Sequence, residues 1–129
     1  TTEEVLRAEK FADGIARGSY SVDIHNPAGT GTDIKRLPPG EAYDIPYRCL
    51  TPLGFDNLLV AARCISSDHG AHSSLRVMPI VMAIGEAAGT AAAMAIKGDT
   101  TTRGVEIAEL RARLIERGAC LSDGPNETG

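Results

Sequence analysis

The chain has 129 residues, with 13 Lys and Arg against 17 Asp and Glu, a formal net charge of −4. Its length fits one domain or part of one, and the acidic balance without any Lys/Arg run excludes a general nucleic-acid surface. Three widely spaced cysteines, Cys49, Cys64 and Cys120, make neither a disulfide framework nor a CxxC metal pair, which points to a reducing compartment such as the cytoplasm.

In chain order, residues 2–9 have the look of a helix start. Thr2 can cap, and Glu3 and Glu4 sit at the positive end of the dipole. Residues 20–25, YSVDIH, alternate strictly. Tyr20, Val22 and Ile24 face one way and Ser21, Asp23 and His25 the other, as in a half-buried strand. Residues 26–40 are rich in glycine and proline and read as an irregular loop, a hairpin connection or a flap. A second strand is expected over 41–50, with Pro46 confining it to a sheet edge or a bulge.

The chain is organised around residues 57–97. Leu58-Leu59-Val60-Ala61-Ala62 is a continuous apolar run, expected to be a strand covered on both faces as in a parallel sheet. A polar loop with His69 and His72 follows, and then a long helix of small and apolar residues with Pro79 in its first turn. Within 77–96 the only non-apolar residues besides glycine and proline are Glu86 and Thr90. A charge at mid-span costs about 2.5–3.5 kcal/mol on insertion scales, so the segment reads as a helix inside a soluble protein, not a membrane span. Gly85, Gly89 and Ala93 recur every fourth residue, as do Ala87, Ala91 and Ala95. Such smooth faces let other backbone pack at short range on both sides. An amphipathic helix over 108–117 follows, with Leu110 and Leu114 in its stripe and Gly118 just past its end, and the polar tail 122–129 closes the chain.

Three groups of residues could carry chemistry. The start of the long helix, around residues 77–80, offers free N–H groups and the positive end of the dipole, with Arg76 beside it. An ordinary solvated helix start is the alternative. His69 or His25 could act as a general acid or base, since imidazole titrates near neutral pH; a solvated histidine is the alternative for each. A metal held by His69 and His72 with Asp68, Cys64 or His25 lacks the paired spacing of zinc sites, so no metal is expected.

The run NLLVAARCISSDHGAHSSLRVMPIVMAIGEAAGTAAAMAIK, with GSYSVDIH and YDIPYRCLTP before it and IAELRARLIERGA after it, resembles the C-terminal flavin-binding segment of glutathione-reductase-like FAD-dependent oxidoreductases. The resemblance implies FAD as cofactor. It implies that Arg63, Cys64, Ile65 and Ser66 lie beside the flavin, and that the backbone at Arg76, Val77 and Met78 lies near the pyrimidine end of the isoalloxazine. Two departures stand out: Ala62 replaces a glycine usual in the family, and the GxGxxG unit that holds the ADP half of FAD is not in these residues.

The expected fold is α/β or α+β: a few-stranded sheet, a central buried small-residue helix and a C-terminal amphipathic helix. The expected organisation is a single C-terminal segment, with substrate-domain-like strands and loops over 1–55, the flavin-facing unit over 56–121 and a tail beyond. The expected function is part of an oxidoreductase that moves a hydride or electron pair between a small organic substrate and FAD. It would be inactive alone and completed by an N-terminal FAD-binding region or a partner chain, with homo-oligomer formation possible. A stand-alone, non-catalytic binding or assembly module is the alternative.

Overall fold

A helix forms over Met78–Lys97, here α3, because alanine fills much of its interior and outweighs two glycines, and Pro79 is confined to the first turn. The computed structural model describes residues 1–25, 29 and 31–122. The first helix, α1, covers Thr2–Leu6 and the first strand, β1, Gly14–Gly18. Strands β2 (Val22–His25), β3 (Thr32–Lys35) and β4 (Tyr43–Pro46) follow, then α2 (His69–Leu75), α3 and α4 (Ile107–Glu116). Short 3-10 turns occupy Tyr47–Leu50, Ala62–Cys64 and Thr102–Gly104.

The architecture is mixed α and β, as expected, but the sheets are small. Strand β1 pairs antiparallel with β4, and β2 with β3 in a hairpin. The Gly/Pro-rich stretch 26–40, expected to be an irregular loop, instead supplies strand β3. The strand after it pairs with β1, so it is no hairpin connection between the two expected strands. Residues 26–28 and 30, like residues 123–129 of the tail, lie outside the described residues. Strand β1 escapes the sequence pattern because GIARG is short and bounded by glycines. Close packing accounts for both glycines. A Cβ at Gly14 would lie 2.7 Å from Asp44 Oδ2, and one at Gly18 would lie 2.6 Å from Ile80 Cδ1 and from the Tyr43 ring.

The expected strand over 58–62 does not form. Leu58 is exposed, Leu59 to Ala61 pack half-buried against the core, and Val60 N donates to Leu50 O at 2.8 Å. An apolar run becomes a strand only where a neighbouring strand completes its ladder, and here the neighbour is a 3-10 turn. No parallel pairing exists among the described residues.

The loop expected around the two histidines is instead α2. Asp68 caps it by accepting from Ala71 N at 2.8 Å. Gly70, Ser73 and Ser74 look like loop residues in sequence, yet all three are buried. Ser73 Oγ donates to Gly70 O (2.6 Å) and accepts from Asp23 N (2.9 Å), which ties α2 to β2. Ser74 Oγ meets Tyr43 Oη at 2.7 Å, which ties it to β4.

Helix α3 packs on β1 and α4. Its buried face carries Ile80, Ile84, Ala87, Ala91 and Ala95, which join Tyr43, Ile45, Leu50, Leu110 and Leu114 in one core. The expectation of a helix buried all round is corrected. Met78 (72%), Met82 (73%) and Ile96 (82%) are exposed on the opposite face, with Gly85, Gly89 and Ala93 between them. Among the described residues, only one of the two small-residue stripes has neighbours. Among the described residues α3 is also the one helix long and apolar enough to cross a membrane.

Asp68 has a second task. Its carboxylate accepts from Thr2 N (2.7 Å) and Thr2 Oγ1 (2.6 Å), fastening α1 to α2. Partial burial pushes its pKa up, but the bonds from Thr2 and Ala71 outweigh this and hold it at about 2, below the ordinary 3.8. The ionised form is therefore favoured in the folded chain, so its contribution is full above about pH 4 and fades as pH falls toward 2. Asp68→Ala is expected to cost about 1 kcal/mol near neutral pH. The gap between the variant and the parent should narrow in acid, as read by urea unfolding at pH 7 and pH 2.5.

Candidate functional site

The site is built where α2 ends and α3 begins. Arg76 closes α2, and Val77 is the N-cap of α3 with extended backbone and no side-chain capping bond. Valine offers no acceptor, so the N–H groups of Met78 and Ile80 have no partner within the helix, and Pro79 has no N–H to offer. Val81 N donates to Val77 O (3.0 Å), which begins the regular ladder. The uncapped end presents two donors and the positive pole of a 20-residue dipole.

The segment before α2 folds back against this end. Arg63 lies in the 3-10 turn, and its Nε donates to Arg76 O at 3.0 Å. His72 Nε2 meets Arg63 O at 3.0 Å from within α2. The Cys64 thiol donates to Ala61 O (2.8 Å), and Ser66 N donates to Cys49 O (3.1 Å). Arg63, Cys64, Arg76 and Met78 are exposed together around the helix start. Two arginines and two free N–H groups make this an electropositive corner that suits an electron-rich or anionic group.

Of the residues singled out in sequence, Arg63, Cys64, Arg76, Val77 and Met78 are brought to this corner. The side chain of Ile65 turns into the core and is 5% exposed, so only its backbone can face a ligand. Ser66 follows it, exposed, on the segment that leads to Asp68. His69 is the first residue of α2, a helix of seven residues or about 10 Å, at the far end from Val77. His25 ends β2, whose backbone pairs it with Thr32; its side chain lies outside the described part. Sequence reasoning weighed His72 only as a metal ligand, whereas the fold places it in the hydrogen-bonded frame of the corner. A helical reading of SDHGAHSSL would have found it, because His72 falls one turn before Arg76. No group of three or more His, Cys, Asp or Glu side chains among the described residues could hold a metal ion.

Ala62 introduces the corner with φ = +63°, a left-handed conformation that L side chains enter at a cost of about 1–2 kcal/mol. Glycine enters it freely. Ala62→Gly is expected to stabilise the chain by about 0.5–1 kcal/mol, seen as a higher urea midpoint with unchanged slope. A lower midpoint would show that the Ala62 methyl packs usefully.

The profile of the FAD dependent oxidoreductase family matches residues 1–114, and the chain belongs to that family. No curated protein and no solved structure matches it.

Proposed function

We propose that this chain supplies the isoalloxazine-facing half of an FAD-dependent oxidoreductase of the glutathione-reductase-like type, as its C-terminal part. The observation that carries the reading is the uncapped start of α3, set beside Arg63 and Arg76 in a chain of this family. The donor set fits the group. FAD supplies two-electron acceptance and donation when bound. The Met78 and Ile80 N–H groups and Arg76 would hold the oxygen and nitrogen edge of its pyrimidine ring. Arg63, fixed on Arg76 O, would keep residues 63–66 alongside that edge, and its backbone is held in turn by His72. Donors fixed before the reaction stabilise developing negative charge without having to reorganise.

His69 and His25 are the proposed groups for proton transfer to or from a small organic substrate. The ADP-binding unit, and the surface that covers the bare face of α3, would come from an N-terminal region or a partner chain. The 129 residues alone would then bind FAD weakly and turn nothing over.

Two measurements test this. The purified 129-residue chain should be colourless, and stoichiometric flavin in it would contradict the split site. In the full-length flavoprotein, Arg76→Ala should lower flavin affinity about tenfold, the weight of one charge-assisted contact. Unchanged affinity would leave the assembly-module reading in place.

A further inference from the structure

We propose that a second site, on the far side of Ile80 from the helix start, binds a small organic carboxylate with an apolar body. A groove of about 580 Å³ opens between the end of β1 and the segment 36–42. That volume suits a small ligand. Gly18 lines it, and behind Gly18 stand Ile80 and Tyr43.

Two guanidiniums and one carboxylate supply the charges of the groove's lining. Arg17 and Arg36 both line it. Arg17 Nη1 lies 3.8 Å from Cys120 Sγ. Arg17 Nε faces Asp44 Oδ1 at 3.9 Å, beyond hydrogen-bond range, and is buried without an acceptor. Arg36 is exposed and makes no hydrogen bond or ion pair among the described residues. Glu41 is the single acid of the described lining and lies exposed. In a chain of net charge −4, the groove's two guanidiniums outnumber its one lining carboxylate, with Asp44 the counter-charge of Arg17 behind it, and their planar forks match a carboxylate. Leu37, Pro38 and Pro39 provide the remaining wall. The two proline rings hold it rigid and apolar, which favours an organic acid over a bare inorganic anion.

Cys120 reports on the groove without taking part in the binding. Iodoacetate and iodoacetamide both alkylate a thiolate, whose sulfur forms the S–CH2 bond as the C–I bond breaks and iodide leaves. They differ in that iodoacetate carries a carboxylate. Peptide mass spectrometry separates Cys120 from exposed Cys64, and from Cys49, whose thiol burial pushes up.

The test uses the 129-residue chain and needs no flavin, so its failure and a failure of the flavin reading are separate results. Arg36→Ala, at an exposed position, should cut the iodoacetate-to-iodoacetamide rate ratio at Cys120 about threefold or more through lost electrostatic attraction. Phenylacetate should protect Cys120, phenylacetamide should not, and inorganic phosphate at equal concentration should protect less. Arg17→Lys, which keeps the charge but loses the fork, should weaken the phenylacetate protection. An unchanged ratio in Arg36→Ala, or equal protection by phenylacetate and phenylacetamide, overturns the proposal. Phosphate protecting as well as phenylacetate overturns the organic-acid assignment.

Discussion

Replacing Gly85 and Gly89 together by alanine is expected to stabilise this chain by about 2 kcal/mol and to weaken the complete flavoprotein. Each glycine lies inside α3, where it costs about 1 kcal/mol relative to alanine. A Cβ built at either position meets nothing within 4 Å, so the isolated chain gains helix propensity with no steric cost. For a chain of this size the melting temperature should rise by roughly 8 °C, read by circular dichroism. Among the described residues, then, nothing calls for glycine at 85 and 89. The proposed reason is a neighbour whose backbone or cofactor approaches the Met82–Gly85–Gly89–Ala93 face too closely for methyl groups. The same substitutions in the full-length protein should reduce its flavin content and lower its melting temperature. If flavin content and melting temperature both hold there, no such close neighbour exists and the bare face is an ordinary solvated one.

The two longer helices and two of the strands carried their own signals in the sequence: the alternation of residues 20–25 became β2 over its last four residues, and β4 falls within 41–50. Helix α3 was legible because an apolar run of twenty residues with Pro79 at its start admits few other readings, and α4 because Leu110, Leu114 and Gly118 mark a stripe and a stop. Gly118 takes φ = +96°, as a residue just past a helix end often must. Strand β1 and the irregular path of 58–62 were not legible, because both are decided by what lies alongside. Gly14 and Gly18 exist to let Asp44, Tyr43 and Ile80 approach, a reason found three or more elements away. Helix α2 was hidden for a different reason. Ser73 and Ser74 favour loops when their hydroxyls are free, and here those hydroxyls are spent on Gly70 and Tyr43. The candidate site was half legible. The residue types around 63–66 and 76–78 were found from sequence, while the bonds that join them, Arg63 to Arg76 and His72 to Arg63, needed the fold.

Asp44→Ala should be among the most damaging single changes, at about 3 kcal/mol. Asp44 stands in β4 at 4% exposure, in the space left by the missing side chain of Gly14. Its Oδ2 accepts from Phe11 N (3.1 Å) and from Ser122 Oγ, and its Oδ1 faces the Arg17 guanidinium. Truncation leaves the part-buried Phe11 N–H without an acceptor and a half-buried cation without its counter-charge, and breaking such a pair costs about 3–5 kcal/mol when fully buried. Because Arg17 retains about a third of its exposure, the lower end applies. Asp44→Asn keeps an acceptor for Phe11 N and removes only the charge, so it should cost about half as much, with both read by urea unfolding. A loss under 1 kcal/mol in Asp44→Ala would show that water replaces the carboxylate there. The asparagine variant joins the two halves of the argument. With its counter-charge gone, Arg17 should attract an anion in the neighbouring groove more strongly. The iodoacetate preference at Cys120 should then rise in Asp44→Asn even as the fold weakens. General loosening of the fold would raise the iodoacetate and iodoacetamide rates together, so a change confined to the charged reagent marks the effect as electrostatic.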